Sequence, residues 1–217
     1  MNIEQARFNM IEQQIRPWDV LDADILAMLS AVKREAFVPL AHKALAFVDT
    51  ELPLSDGQYM LSPKLEARLV HDLKIQKHER VLEIGAGSGY MAALLGSRAA
   101  QVLSLEIKPA LVDFAKNNLR NAGIGNVEVR LADASKDADV LGNFDVILLS
   151  GSVASVPSAL LNLLKIGGRL AAIVGAEPMM RAHFVTHTGD KIFETRQPWD
   201  TIAPRLLNFP EPSLFSF

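Results

Sequence analysis

The sequence predicts an α/β fold, in which a doubly wound, mostly parallel sheet follows an N-terminal helical arm. Three observations support this prediction. Apolar runs alternate with helical segments after residue 74, a glycine-rich turn follows the first of these runs, and the preceding residues carry a helical pattern. We expect one domain over residues 1–217, with the arm over 1–73 and the α/β body over 74–217.

The arm contains three predicted helices. Apolar residues share one helical face from Ile3 to Met10, Pro17 interrupts the pattern, and DVLDADILAMLSAV restarts it. After the irregular stretch FVDTELPLSDGQYMLSP, Ser62 and Pro63 are suited to begin the third helix as its N-cap and first helical residue. The expected buried face of that helix is Leu65, Leu69, Val70 and Leu73.

The body alternates strand candidates with helix candidates. The strand candidates are RVLEIGA, QVLSLEI, NVEVRLAD, FDVILLSG and GRLAAIVG, and the helix candidates are SGYMAALLGSRA, PALVDFAKNNLRNAG and PSALLNLLKIGG. The last two helices each have a proline near the start and a glycine just past the end, which is the usual asymmetry. The stretch HFVTHTGDKIFETRQ, with Gly189 and Asp190 at its centre, predicts a closing antiparallel hairpin.

The composition argues against several classes of function. The chain is 49% hydrophobic and 22% charged with a net charge of −3, which is typical of globular proteins and gives no basic surface for nucleic acid. The absence of cysteine excludes thiolate metal sites and suits a cytoplasmic protein. His183 and His187 lack a third ligand, so we expect no metal site. No apolar run reaches the roughly 18 residues of a membrane span, and the N-terminus does not resemble a signal peptide.

The turn VLEIGAGSGY places Gly85, Gly87 and Gly89 after the first strand of the body, where open α/β sheets bind ligands. A dinucleotide fingerprint would need its third glycine at the position of Tyr90, and a P-loop would need Lys followed by Ser or Thr. Glu83, just before the turn, would be a poor neighbour for a diphosphate and a good one for an ammonium group or an ordered water network. We therefore predict a ligand with an amino-acid end and without phosphate.

Two further carboxylates describe the rest of this ligand. Glu106, at the end of the second strand, can accept hydrogen bonds from both hydroxyls of a ribose. Asp133, at the end of the third, can accept one from the exocyclic amino group of adenine. S-adenosylmethionine fits this description. The predicted cofactor contacts are Glu83, Gly85, Ala86, Gly87, Ser88, Gly89, Tyr90, Glu106, Ile107, Asp133 and Ala134.

These motifs resemble the class I S-adenosylmethionine-dependent methyltransferases and, within that class, the protein-L-isoaspartate O-methyltransferases. MIEQQI, AVKREAFVP, LPLSDGQ, FDVILL and VPSALLNLLKIGGRLAAIVG look like that family in the same order, over about residues 10 to 175. The resemblance implies a Rossmann-like methyltransferase fold and methyl transfer to a carboxylate of a protein or peptide. It also implies that the turn after LPLSDGQ closes over the methionine end of the cofactor and meets the substrate.

That turn departs from the family pattern. The family usually reads GQTISxP, with the serine thought to be catalytic, whereas this chain reads GQYMLSP. Without a gap, Tyr59 stands at the threonine and Leu61 at the serine, and Ser62 lies one position late. We interpret Ser62 as a helix cap and therefore predict no catalytic residue. Tyr59, Leu61 and Ser62 remain the predicted residues on the substrate side.

Three functions stay open at this point. The leading one is methyl transfer to a carboxylate of a protein or peptide, which needs no general base because a carboxylate is ionised near neutral pH. The second is methyl transfer to a small molecule, with Tyr59 and Leu61 forming a rebuilt acceptor pocket. The third is binding of S-adenosylmethionine without catalysis. The sequence predicts neither nucleic acid nor membrane as a partner, and it gives no oligomeric state.

Overall fold

A computed structural model describes residues 2–137 and 141–212 of the protein, so the remaining residues of the predicted domain lie outside the described chain. The elements of the arm, in chain order, are α1 (Ile3–Met10), α2 (Ala23–Ala31), β1 (Leu52–Pro53), β2 (Tyr59–Met60) and α3 (Pro63–Leu73). The two short strands pair antiparallel, so the predicted substrate turn is part of a hairpin directly before α3.

The body confirms the predicted alternation of strands and helices. Its elements are β3 (Arg80–Ile84), α4 (Tyr90–Arg98), β4 (Gln101–Glu106), α5 (Pro109–Asn121), β5 (Val127–Leu131), β6 (Phe144–Val153), α6 (Ser158–Leu161), β7 (Leu164–Ala176), β8 (Met179–Gly189), β9 (Ile192–Arg196) and β10 (Asp200–Thr201). Each of the five strand candidates forms a strand, and the first two helix candidates form α4 and α5.

The sheet has eight strands in the order β10-β8-β7-β6-β3-β4-β5, with β9 also paired to β8. Strands β3 to β7 pair in parallel, whereas β8 runs antiparallel to β7, β9 and β10. The chain moves outward from β3 to β5 and then returns to β6 on the other side of β3. The carboxyl ends of β3 and β6 therefore form the switch point at which sheets of this type bind ligands.

Two apolar clusters cover the two faces of the sheet. In β3, Val81 belongs to one cluster and Leu82 to the other, because successive side chains of a strand point to opposite faces. The first cluster also contains Met10 of α1 and Leu69 of α3, so the arm shares a core with the sheet. The division of the chain at residue 73 stays a prediction.

Two predicted elements differ from the structure. The helix predicted over PSALLNLLKIGG is a single turn, α6, because Leu163 and Leu164 bond to the start of β6 instead of continuing the helix. A short apolar run does not by itself distinguish helix from strand. The loop of the β8–β9 hairpin is Asp190-Lys191, one residue later than predicted, because Gly189 pairs with Ile192.

The described part of the chain holds no helix that is both long and apolar enough to span a membrane. Within the same residues, the histidine and acidic side chains form no group of three or more placed to hold a metal ion. His183 and His187 both lie on β8, and the Nδ1 atom of His187 is 2.9 Å from the carbonyl oxygen of Leu164.

Candidate functional site

The glycine turn lies at the switch point, immediately after β3. Gly85, Gly87 and Gly89 have φ angles of 92°, 52° and 82°, a region that favours glycine. A Cβ atom at position 89 would lie 3.2 Å from the Cα atom of Ala115, so this glycine allows α5 to pack closely on the turn. Gly89 therefore has a structural role, whereas Gly85 and Gly87 border a cleft.

The cleft consists of two adjoining pockets that share Gly85. The strand-end pocket is lined by Gln58, Ile84, Gly85, Leu105, Glu106, Ile107, Ala132, Asp133, Ala134, Leu206, Leu207 and Phe209. The turn pocket is lined by Tyr59, Met60, Leu61, Glu66, Gly85, Ala86, Gly87, Ser88, Met91 and Ser150. Eight of the eleven predicted cofactor residues line one pocket or both; the three others are Glu83, Gly89 and Tyr90.

Glu106 is fixed at the strand-end pocket by backbone N–H groups. Its Oε2 atom accepts a hydrogen bond from the N–H of Gly87, with an N···O distance of 2.9 Å. Its Oε1 atom accepts bonds from the N–H groups of Ile107 and Lys108, at 2.9 and 3.0 Å. Two carboxylate oxygens offer about four acceptor positions, so three bonds leave room for a ligand donor in the pocket.

Asp133 lines the same pocket but already has donors on both oxygens. Oδ1 accepts from the hydroxyl of Ser135 at 2.6 Å, and Oδ2 accepts from Nδ2 of Asn208 at 2.8 Å. Burial raises the pKa of Asp133, but the bonds from Ser135, Asn208 and Lys136 outweigh burial and hold the pKa below its ordinary value. A bound adenine amino group would share these oxygens, so the adenine contact stays a prediction.

The C-terminal segment supplies a wall that the sequence patterns did not indicate. The N–H of Ser152 donates to the carbonyl oxygen of Pro204 at 2.7 Å, and the N–H of Leu206 donates back to Ser152 at 2.9 Å. A Cβ atom at Gly151 would lie 2.8 Å from Cγ of Leu206, so this glycine lets the leucine lie against β6. The segment thereby carries Leu206, Leu207 and Phe209 to the strand-end pocket.

Glu83 lines neither pocket, and its predicted cofactor contact stays a prediction. It is fully buried, and its oxygens accept hydrogen bonds from the hydroxyls of Ser104, at 2.5 Å, and Ser150, at 2.8 Å. Burial raises the pKa of Glu83 to about 8, although the two serine bonds oppose this shift. Ser150, and not Glu83, lines the turn pocket. The spacing of the motif indicated the position of this carboxyl group but not the direction of its side chain.

Tyr90 is likewise not brought to the cleft. Its ring is buried between the arm and α4, 5.5 Å from the ring of Phe37 and 5.1 Å from the guanidinium carbon of Arg34. Its hydroxyl has no hydrogen-bond partner among the described residues. The ring makes a packing contact that joins α4 to the arm, and the cofactor contact of Tyr90 stays a prediction.

The substrate turn directs consecutive residues to different places. Tyr59, 48% exposed, and Leu61, 4% exposed, line the turn pocket, whereas Ser62 lines a separate groove beside Trp18 and Trp199. This placement agrees with the gapless alignment of GQYMLSP, in which Leu61 occupies the serine position of the family.

Ser62 is the N-cap residue of α3 and Pro63 is the first helical residue, as predicted. The expected cap bond is missing, because the hydroxyl of Ser62 makes no capping hydrogen bond within the described chain. Asp49 takes this role instead: its Oδ1 atom accepts from the N–H of Lys64 at 3.3 Å.

Glu66 is a residue of the turn pocket that the sequence analysis missed. It lies in the first turn of α3, is 2% exposed, and accepts a hydrogen bond through Oε2 from Nη1 of Arg34. Burial raises the pKa of Glu66 to about 8, with Arg34 opposing the shift. The sequence did contain a signal for the burial of Glu66. Glu66 precedes Leu69 and Val70 by three and four residues, so it falls on the predicted buried face of the helix.

The fold and the cleft together define a class of protein. The sheet has its switch point beside a glycine turn that lacks the phosphate-binding pattern, and a carboxylate closes the next strand. This combination is that of the S-adenosylmethionine-dependent methyltransferases.

Comparison with known proteins narrows the class. The model of the family "Protein-L-isoaspartate(D-aspartate) O-methyltransferase (PCMT)" matches residues 5–202. A protein-L-isoaspartate O-methyltransferase of Methanoculleus marisnigri is 38% identical over 171 residues, covering 79% of this chain and 78% of the relative. Protein-L-isoaspartate O-methyltransferase 1 of Rhodopseudomonas palustris is 41% identical over 171 residues, covering 79% and 70%. The chain belongs to the protein-L-isoaspartate(D-aspartate) O-methyltransferase family.

The fold is also shared with a solved structure. A chain from Plasmodium falciparum, assigned as a protein-L-isoaspartate O-methyltransferase and crystallised with S-adenosyl-L-homocysteine, superposes with a TM-score of 0.77. The superposition covers 94% of this chain and 97% of that one, at 19% sequence identity. At this identity the likeness concerns the fold.

Proposed function

We propose that the protein transfers a methyl group from S-adenosylmethionine to a carboxylate of a protein or peptide, with an isoaspartyl residue as the acceptor. The observation that carries the proposal is the pair of pockets sharing Gly85. One pocket is bordered by Glu106, and the other by the turn at which the family meets its substrate. The relatives are named for this activity, and we place it in the cytoplasm, which stays a prediction.

The strand-end pocket fits the nucleoside part of the cofactor. Glu106 has acceptor capacity left for a ribose hydroxyl, and Ile84, Leu105 and Phe209 offer apolar surface to a purine ring. Gly85 carries no side chain that would keep a ligand from the backbone of the turn.

The turn pocket fits a small acceptor group. When bound, S-adenosylmethionine supplies a methyl group that its sulfonium centre already activates. The chain must then orient the acceptor towards that group and exclude water. Met60 and Leu61, both 4% exposed, provide apolar walls for this purpose. A carboxylate acceptor is ionised near neutral pH, so the residues of this pocket need not remove a proton.

Methyl transfer to a small molecule is the second candidate, and Tyr59 and Leu61 favour it. Leucine has no hydroxyl to offer an acceptor carboxylate, and a half-exposed tyrosine at the pocket can contact an acceptor by its ring and its hydroxyl. Both candidates use the same cofactor cleft and differ in what the turn pocket recognises.

Transfer of radiolabelled methyl groups to an isoaspartyl peptide tests the proposal, with the matched aspartyl peptide as control. We expect label on the isoaspartyl peptide alone, released by base as a methyl ester would be. Binding of S-adenosylhomocysteine without transfer to isoaspartyl peptides would favour the small-molecule candidate. A protein that binds no S-adenosylhomocysteine would contradict the proposal.

A further inference from the structure

We propose that Glu66 binds the ammonium group at the amino-acid end of the cofactor, a role that rests on the proposed function. Glu83, which the sequence suggested for this role, is sealed behind Ser104 and Ser150. Glu66 comes from α3 of the arm, and it lines the turn pocket together with residues of the glycine turn.

The first step concerns where the amino-acid end would lie. A nucleoside held at Glu106 occupies the strand-end pocket, whose border with the turn pocket is Gly85. The rest of the ligand must extend past this residue. The space it enters is small and is bounded by the turn residues Ala86, Gly87 and Ser88 on one side and by Glu66 on another.

The second step concerns charge. Glu66 is the only carboxyl group among the described residues that line the turn pocket. The other polar side chains there are the hydroxyls of Tyr59, Ser88 and Ser150, of which Ser150 already donates to Glu83. An ammonium group in this pocket therefore has Glu66 as its one oppositely charged neighbour among those residues.

The third step concerns the oxygens of Glu66. Oε2 accepts from Arg34, Oε1 accepts no hydrogen bond from the described residues, and Glu66 lines the turn pocket. Arg34 is itself fully buried. Its guanidinium also donates to the carbonyl oxygens of Ala46, at 3.0 Å, and Leu61, at 2.7 Å. Arg34 thus fixes the carboxyl group in place, and Oε1 stays available to a ligand donor.

The ionisable groups that face Glu66 are Arg34, Glu83 and Tyr90. Burial raises the pKa of Glu66 to about 8; Arg34 opposes the shift and Glu83 adds to it. A bound cation favours the ionised carboxylate. Affinity for a ligand that carries an ammonium group should therefore rise as the pH increases towards 8, by at most about tenfold per pH unit.

Calorimetric titration with two ligands tests this role. S-adenosylhomocysteine carries the amino-acid end, whereas 5′-methylthioadenosine keeps the nucleoside and the thioether without it. In Glu66→Gln we expect roughly tenfold to hundredfold weaker binding of S-adenosylhomocysteine, the loss of one charged hydrogen bond, and unchanged binding of 5′-methylthioadenosine. The rise in affinity with pH should also disappear.

Glu79→Gln is the matched control, because Glu79 is a buried glutamate bonded to Arg169 at 2.6 Å outside both pockets. It should leave the binding of both ligands unchanged. If Glu66→Gln does not fold, Arg34→Met combined with Glu66→Leu replaces the buried ion pair by apolar groups, a change that proteins often tolerate. That variant should bind 5′-methylthioadenosine and lose affinity for S-adenosylhomocysteine.

Equal weakening of both ligands would overturn the inference, because Glu66 would then support the cleft as a whole. Unchanged or tighter binding of S-adenosylhomocysteine in Glu66→Gln would also overturn it. Wild-type protein that binds neither ligand would instead overturn the proposed function, so the two failures can be told apart.

Discussion

The strand-end pocket and the turn pocket adjoin at Gly85, yet they are built in different ways. The strand-end pocket takes Glu106 and Asp133 from the ends of consecutive strands, where the geometry of a parallel sheet places them. The turn pocket takes Tyr59, Leu61 and Glu66 from the arm. The difference teaches that the strand-end pocket follows from the fold, whereas the turn pocket depends on side chains of the arm that can change without altering the sheet.

Removing Arg34 should have the largest effect, and of the two pockets it acts on the turn pocket, through Leu61 and Glu66. Arg34→Met leaves Glu66 buried without its partner, and the carbonyl oxygen of Leu61 loses a donor. We expect the free energy of unfolding to fall by about 3–5 kcal/mol, as for other broken buried ion pairs. Urea denaturation measures the change.

Arg16→Met provides the control for that variant, since Arg16 forms an exposed ion pair with Glu12 at 3.1 Å. Its cost should stay below about 1 kcal/mol. Equal costs for the two variants would show that the arm does not depend on the buried pair.

Glu106→Ala tests the strand-end pocket. Loss of the charge-assisted hydrogen bond to the ribose should weaken binding of S-adenosylhomocysteine by about 1.5–3 kcal/mol, measured by calorimetry. Because Glu106 also accepts from the N–H of Gly87, the turn should loosen as well. An unchanged dissociation constant would mean that the fold does not determine the cofactor side in the way the comparison states.

The double change Tyr59→Thr with Leu61→Ser sharpens the comparison from the acceptor side. It restores the family's residues at the turn pocket, so the rate of methyl transfer to an isoaspartyl peptide should rise about tenfold. Affinity for S-adenosylhomocysteine should change little, because Glu106 and Glu66, the two carboxyl groups assigned to the cofactor, are untouched. A fall in transfer would show that Tyr59 and Leu61 already serve this acceptor.

Ser62→Ala should have the smallest effect. The hydroxyl makes no cap bond within the described chain and lines a different groove from Leu61. We expect a change within about 0.5 kcal/mol in stability and no loss of methyl transfer. Asp49→Ala, which removes the acceptor for the N–H of Lys64, should cost about 1 kcal/mol, and urea denaturation measures both variants. Loss of transfer in Ser62→Ala would mean that Ser62 reaches the acceptor after all.

The sequence predicted the structure well where local backbone rules determine it. Apolar periodicity indicated the strands, and strand ends indicated Glu106, because its position follows from the sheet alone. The same reasoning placed Glu83 and Tyr90 in the cleft, although both are buried, since the spacing of a motif does not determine which way a side chain points. The apolar run around α6 is compatible with either helix or strand, and only the pairing of β7 with β6 determines where the helix ends.

Contacts between distant parts of the chain could not be predicted in this way. Leu206 and Phe209 reach a pocket whose glycine turn lies more than 100 residues earlier in the chain. Glu66 reaches the turn pocket only because Arg34 holds it there from another part of the arm. Such contacts depend on the packing of whole elements, and a pattern in a short window carries no record of them.

The wall formed by the C-terminal segment has a consequence for protein synthesis. During translation the strands of the sheet and the glycine turn emerge first, and Leu206, Leu207 and Phe209 emerge among the last described residues. A chain synthesised only as far as residue 200 would lack one side of the strand-end pocket. Tight binding of the nucleoside therefore requires synthesis to continue at least as far as Phe209.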